Sequence, residues 1–233
     1  APAALPSAPK PPALPGRDAL QAAAALIAGA QRPVLYGGGG LINAGEGACE
    51  RFAALARDWH LPTTLTLMGL GALPASEPLS LGMLGMHGTV EANLAMHHAD
   101  LIICVGARFD DRITGRLSDF APGARKIHID IHPGNIGKVI PVDVALAGDC
   151  GAVLEALTAL LPPALPATRL APWWSRIERW RAADCLAFTP GETTIQPQQL
   201  MRAVRAQLAG RDAIVSTDVG QHQMWAAQHL AIE

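Results

Sequence analysis

The stretch "DLIICVGARFDD", residues 100–111, constrains the fold more than any other part of the chain. Leu101 to Val105 are apolar without interruption. A strand with one wet face alternates apolar and polar residues. A run apolar on both faces has to be covered on both, which is the condition of a strand inside a parallel sheet. The same logic extends along the chain. "RPVLYGGGG" is a short apolar strand ending in glycines, "LPTTLTLMGLG" is β-branched and strand-like until Gly69, and "RKIHIDIHPGNIG" and "DVALAGD" supply two further strands.

Helical spacing fills the gaps between these runs. From Arg17 to Ala30, Leu20, Ala23, Ala24 and Ile27 share one face, and "EGACERFAALARDWH" places Phe52, Leu55, Ala56 and Trp59 on one side. "GMLGMHGTVEANLAMHHAD" (residues 82–100) opens with glycines and methionines around His87 and runs on helically to His97 and His98, and another helix spans about 151–161. Strands alternating with helices predict an α/β fold with a doubly wound, mainly parallel sheet. Such sheets bind ligands beyond the carboxyl ends of their strands. Five strand ends here carry glycines or polar residues: 37–40, 66–69, 106–111, 130–132 and 149.

Half of the 233 residues are hydrophobic and 16% are charged, enough apolar material for a large core. A net charge of −2 with scattered Lys and Arg excludes a basic footprint for nucleic acid. Cys49, Cys104, Cys150 and Cys185 lie far apart without CxxC spacing, which favours reduced thiols and a cytoplasmic setting. No apolar run reaches the roughly 18 residues that span a bilayer. "APAALPSAPKPPALPG" reads as a Pro/Ala linker over residues 1–15, not a signal peptide, so the first residue is expected to be an internal point of a longer protein. A second proline-rich linker is expected near 162–172, followed by a helix in which Trp173, Trp174 and Trp180 pack. Residues 195–233 then read as helix, strand, loop and helix start: the opening of a second, truncated domain.

Several residues have two readings each. "GGGGLINAGEG" follows a strand and precedes a helix, so its glycines suit either a phosphate at a helix N-terminus or a plain tight turn; the G-x-G-x-x-G spacing is absent. Asp130 either accepts ribose hydroxyls or caps a turn. Asp149 reads as a cap of the helix after it. "GARFDDR" either meets phosphates or flat rings, or is a self-neutralising surface turn. His128, inside a strand, reads as structural, and His97 and His98 lack a second pair of metal ligands.

Taken together, "TLMGLGALP", "LGMLGMHGTVEANLAMHHADLIICVGARFDDRITG", "KIHIDI" and "VSTDVGQHQMWAAQ" resemble the large, catalytic subunit of the acetolactate synthase (acetohydroxyacid synthase) family, over about 16–161 and 195–230. The resemblance implies that 16–161 is the family's central FAD-binding domain, a Rossmann-like six-stranded sheet. It implies that 162–194 is linker and helix, and that 195–233 starts the thiamine-diphosphate domain. It assigns flavin contacts to Gly38, Gly39 and Gly40, to Thr66, Leu67 and Met68, and to Leu84, Gly85, Met86 and His87. Further contacts fall on Gly106, Ala107, Arg108, Phe109 and Asp110, on Asp130 and Ile131, and on Asp149 and Cys150. Gly85 and Gly88 are expected to let backbone pass close to the cofactor. Asp111 and Arg112 match positions near the substrate channel, and Gly220, Gln221 and His222 match the loop that holds the thiamine diphosphate.

The implied reaction joins two 2-oxo acids, two pyruvates or pyruvate and 2-oxobutyrate, with loss of carbon dioxide, in branched-chain amino-acid biosynthesis. Thiamine diphosphate and Mg2+ carry the chemistry, and FAD acts structurally. The family's activating glutamate and Gly-Asp-Gly metal motif fall outside these residues, so no catalytic or metal residue is expected here and the chain alone is expected to be inactive. A homodimer or tetramer and a regulatory small subunit are the implied partners. Two other functions fit the architecture: a related 2-oxo acid oxidase or decarboxylase, and a nucleotide-binding module without catalysis.

Overall fold

The computed structural model describes residues 13–162 and 164–233. Most of the proline-rich start, residues 1–12, lies outside the described residues. The described chain runs α1 (Arg17–Gly29), β1 (Pro33–Gly37), α2 (Gly39–Ala44), α3 (Glu46–Asp58), β2 (Thr63–Leu65), β3 (Ser80–Met83), α4 (Val90–His98) and β4 (Leu101–Val105). It continues through α5 (Asp111–Thr114), β5 (Arg125–Asp130), β6 (Val144–Ala147), α6 (Cys150–Thr158), α7 (Ala171–Arg181), α8 (Pro197–Leu208) and α9 (Gln221–His229).

The six strands form one sheet in the order β3-β2-β1-β4-β5-β6, and every pair is parallel. The order grows leftward from β1 and then restarts at β4, so the switch point lies between β1 and β4. Those two strands are buried along their whole length, as their uninterrupted apolar runs require. Period-two alternation divides the core. Leu35, Ile103 and Ile127 face α1, α3 and α6. Val34, Tyr36, Ile102 and Cys104 face the other layer, against Ala92, Ala95 and Met96 of α4 and Trp173 and Ile177 of α7.

Three elements differ from the sequence reading. β3 overlaps the start of the glycine- and methionine-rich stretch, where no strand is expected, and its Gly82 has a positive φ of +78°. β2 ends at Leu65, after which 67–69 turns as a short 3-10 helix. The strand expected within 195–233 does not form: its apolar stretch, 213–217, is not a strand, and Ile214 is 99% exposed. An apolar β-branched run becomes a strand only against a partner, and none of the described residues pairs with it.

The tryptophan helix does more than fill space. Trp173 Nε1 donates to Pro33 O at 3.1 Å and Trp174 Nε1 to His60 O at 2.8 Å. Arg181 Nη2 donates to Ser80 O at 2.9 Å. The polar heads of one helix thereby meet carbonyls at the amino ends of β1, β2 and β3, while its apolar face closes the core. Just before it, Arg169 Nη2 donates to Ala28 O and Ala30 O, both at 2.6 Å, where α1 runs out of partners for its last carbonyls. The expected linker around 162–172 is thus fastened to the sheet domain. Further on, α9 reaches the β3 edge, where Gln228 Nε2 donates to His87 O at 2.9 Å and Ala75 N to Ile232 O at 2.9 Å.

Trp173→Ala is expected to destabilise the chain by about 3–5 kcal/mol. Trp173→Phe keeps a ring but leaves the Pro33 carbonyl unpaired, for about 1–3 kcal/mol. Denaturant midpoints at unchanged m-values check both.

Candidate functional site at the carboxyl ends of the strands

The switch point is built from backbone. Gly38 N donates to Val105 O at 3.0 Å, Gly40 N to Gly106 O at 2.8 Å, and Gly106 N to Ile129 O at 2.9 Å. A Cβ on Gly38 would sit 2.4 Å from Gly106 O, and one on Gly40 would sit 2.6 Å from Gly106 Cα. Gly106 itself holds φ +59°, a left-handed conformation that glycine adopts without penalty. The "GGGG" run therefore serves first to let the turns after β1 and β4 lie on one another.

The second glycine set behaves alike. Gly85, at φ +99°, would place a Cβ 2.6 Å from Arg112 O, and Met86 N donates to that same carbonyl at 3.0 Å. A Cβ on Gly88 would meet Met83 O at 2.2 Å. At both positions the group that passes closest is another stretch of backbone. Asn93, overlooked in the sequence, clamps this loop. Its Oδ1 accepts from Gly85 N at 3.2 Å, and its Nδ2 donates to Gly85 O at 3.0 Å. An amide on the loop-facing side of α4, one turn after the N-cap Thr89, is the signal that could have found it.

Around this frame the structure gathers polar groups from four strands. Asp130, buried at the end of β5, accepts through Oδ1 from His132 N at 2.7 Å and Asn135 Nδ2 at 3.2 Å. Its Oδ2 accepts no hydrogen bond among the described residues. Asp149 accepts from Ala152 N at 3.0 Å and caps α6, as its position before a helix predicts. Asp130, Ile131, Asp149 and Cys150 share a crevice of about 110 Å³ with Gly40 and Asn43. Burial, with the Asp149 and Asp130 carboxylates adding to it, pushes the Cys150 thiol up to about 12, so it is an uncharged wall and not a nucleophile. Just past β2, the buried Thr66 Oγ1 has no hydrogen-bond partner among the described residues. A buried orphan hydroxyl at a strand end is a place where a ligand group fits.

"RFDDR" divides by burial. Ala107 and Phe109 are buried, whereas Arg108, Asp111 and Arg112 are exposed. Arg108 pairs with Asp110 at 3.1 Å and Arg112 lies 3.8 Å from Asp111, both wet pairs of little energetic weight. Arg108, Phe109 and Asp110 line a second crevice, of about 80 Å³, with Asn135 and Lys138. Asn43, Asn135 and Lys138 were not singled out in the sequence; they lie on the turns just past strands whose ends were. Leu67, Met68, Met86 and His87 form the rim near β2 and β3, with Met68, Met86 and His87 exposed and Leu84 buried beneath. Gly39 approaches Met68 and joins the two groups, since its Cβ would lie 3.1 Å from Met68 Cβ. Gly220, Gln221 and His222 stand apart from these crevices, exposed at the head of α9. Larger cavities of about 190 to 230 Å³ lie between α4 and residues 113–121, against α9, and at the opposite end of the sheet. The strand-end crevices outweigh them because polar groups from β1, β4, β5 and β6 converge there.

This geometry sets two polar crevices at the switch point of a doubly wound α/β sheet. Residues 20–157 match the thiamine pyrophosphate enzyme central-domain family, and the chain belongs to it. Over 212 residues it is 51% identical to the acetolactate synthase large subunit of Parasynechococcus marenigrum, covering 91% of this chain and 34% of that protein. It is 46% identical over 206 residues to the large subunit of Haemophilus influenzae, covering 88% of this chain and 35% of that one. The mitochondrial acetolactate synthase catalytic subunit of Saccharomyces cerevisiae is 42% identical over 226 residues, 91% of this chain and 32% of its own length. The chain thus spans about a third of the length of these relatives. No helix among the described residues is long and apolar enough to cross a membrane.

Two outcomes test the frame. Gly45 and Gly106 both have positive φ, but a Cβ on Gly45 would meet nothing within 4 Å. Gly45, at φ +95° and ψ 176°, lies where essentially only glycine goes, so Gly45→Ala is expected to cost about 1–3 kcal/mol of stability from backbone strain alone. Gly106→Ala is expected to cost at least about 1 kcal/mol more, the surplus measuring the backbone approach in urea unfolding.

The second concerns His128. Burial holds it below the ordinary histidine value, opposed by its hydrogen bond to Ala107 O and by the Asp130 carboxylate. The unfolded residue therefore takes up its proton first as pH falls. Its contribution to stability is complete above about pH 6.5 and is lost as pH drops through that value toward the folded one. His128→Gln is expected to lose less stability than the unsubstituted chain between about pH 7.5 and about pH 5. His98 and His229, also lowered by burial, are common to both proteins and cancel in the comparison.

Proposed function

We propose that residues 16–161 form the FAD-binding central domain of an acetolactate synthase large subunit, and that residues 195–233 begin its thiamine-diphosphate domain. The observation that carries this reading is the meeting of Asp130, Asp149, Arg108, Asp110 and the unpartnered Thr66 hydroxyl along one carboxyl edge, in a chain whose relatives bear that name. Neither crevice alone has the roughly 300 Å³ of a small-molecule pocket, but a dinucleotide laid along the edge reaches both. Asp130 and Asp149 are suited to hydroxyl and amine groups, Arg108 to a phosphate, and the Met68–Met86 rim to a flat ring.

In this reading the flavin is a structural group, held by Gly38 to Gly40, Thr66 to Met68, Leu84 to His87, Gly106 to Asp110, Asp130, Ile131, Asp149 and Cys150. Asp111 and Arg112 lie toward the substrate channel, and Gly220 to His222 contact thiamine diphosphate, with Mg2+ as its metal. The whole enzyme joins two pyruvates, or pyruvate and 2-oxobutyrate, with loss of carbon dioxide. It works in the cytoplasm as a dimer or tetramer with a regulatory small subunit, a partner consistent with relatives named large subunits.

The expected outcome is that the purified chain carries or takes up FAD, seen as flavin absorbance and quenched flavin fluorescence. Asp130→Ala is expected to weaken that binding by about tenfold to a hundredfold, the weight of a hydrogen bond to a charged group. For the full-length enzyme, product analysis is expected to give 2-acetolactate from pyruvate. Acetyl phosphate or an aldehyde instead would assign a related oxidase or decarboxylase. Tight ADP or NAD binding with no thiamine-dependent turnover would assign a simple nucleotide-binding module.

A further inference from the structure

Tyr36, Cys104 and His128 are register partners on β1, β4 and β5. They form one row across the middle of the sheet, all on the α4 and α7 face, and all are buried. The neighbouring row, on the opposite face, is Leu35, Ile103 and Ile127, which is what the centre of a covered parallel sheet calls for. Polar side chains at such positions are costly unless each finds a partner.

All three find it in the same place, the turn that follows β4. Tyr36 Oη donates to Arg108 O at 3.2 Å. Cys104 Sγ donates to Ala107 O at 3.2 Å, and His128 Nε2 lies 2.9 Å from that same oxygen. A carbonyl only accepts, so Nε2 carries the hydrogen and His128 is fixed in one neutral tautomer. Its Nδ1 is left buried without a partner among the described residues. Burial raises both the Tyr36 hydroxyl and the Cys104 thiol well above their ordinary values, so both keep their protons to donate. Phe109 completes the arrangement, its ring 5.8 Å from Tyr36 and edge-on to His128 at 5.3 Å.

We propose that this row is a positioning device: three donors from three strands fix the peptide planes of Ala107 and Arg108, and so aim Arg108 and Asp110 into the flavin crevice. The role toward flavin rests on the FAD reading above; the fixing of the turn does not. An apolar row would fill the same volume and leave both carbonyls unpaired. The unsatisfied Nδ1 marks a residue kept for what Nε2 does and not for packing alone. The three residues are positioning residues, since none of them lines either crevice.

The test separates the two claims. In the flavin-free chain, hydrogen exchange at the amides of 106–114 is compared with exchange at β1 and β2. His128→Leu is expected to speed exchange in 106–114 and leave β1 and β2 unchanged. His128→Gln, whose amide nitrogen reaches the place of Nε2, is expected to restore protection. Tyr36→Phe and Cys104→Val, which keep size and remove one donor each, give the same readout if the leucine variant does not fold. With FAD, each lost donor is expected to weaken binding by about tenfold, with His128→Gln close to the unsubstituted chain. Unchanged exchange in folded Tyr36→Phe and Cys104→Val, or a glutamine variant no better protected than the leucine one, overturns the proposal. If the unsubstituted chain takes up no flavin, the FAD reading falls, and the exchange contrast still decides whether the row holds the turn.

Discussion

The molecule depends on two backbone turns lying in direct contact. Where β1 and β4 end, Gly38 and Gly40 touch Gly106 so closely that a single added carbon on any of them would occupy another residue's backbone. In a doubly wound sheet this is the one point where consecutive strands part to opposite sides, so a crevice opens there by topology alone. The glycine contact sets how wide it opens. Crevice walls made of main chain have few ways to relax, and the polar ends of β5 and β6 are presented at fixed positions relative to them. Of the two readings of the glycine run, the tight turn is the one the backbone contacts display, and that packing shapes the crevice beside it.

Legibility in the sequence followed the physics of burial. The unbroken apolar run of β4 and the helical faces of α1 and α3 announce elements that must be covered, and the parallel sheet follows. β3 announced nothing, because an edge strand of four residues with a glycine at positive φ has neither periodicity nor propensity. The opposite error arose at 213–217, where β-branched residues signal a strand but pairing is a property of two segments and not one. Crevice-lining residues are legible where a polar side chain follows an apolar strand, as at Asp130 and Arg108. Asn93, Asn135 and Lys138 were not, because each acts through a contact that only the fold creates.

The two faces of the sheet carry different kinds of interior. One is mainly aliphatic, with Phe52 and Trp59 among its Leu, Ile, Val and Ala side chains, and is held by α1, α3 and α6. The other mixes aromatic, sulfur and imidazole groups around Tyr36, Phe109 and His128. Tyr36, Cys104 and His128 sit on the second face, under the turn that bears "RFDDR".

The tryptophan helix has a mechanical consequence. It grips carbonyls at the amino ends of β1, β2 and β3, and Arg169 grips the end of α1 beside them. The crevice lies at the opposite ends of the same strands. A load passed along the chain beyond Arg181 arrives first at this anchorage, where strong donors and a buried ring resist it in shear. Later parts of the chain meet the sheet a second time, through Gln228 on the His87 carbonyl, so they can act on the rim without loosening this anchorage.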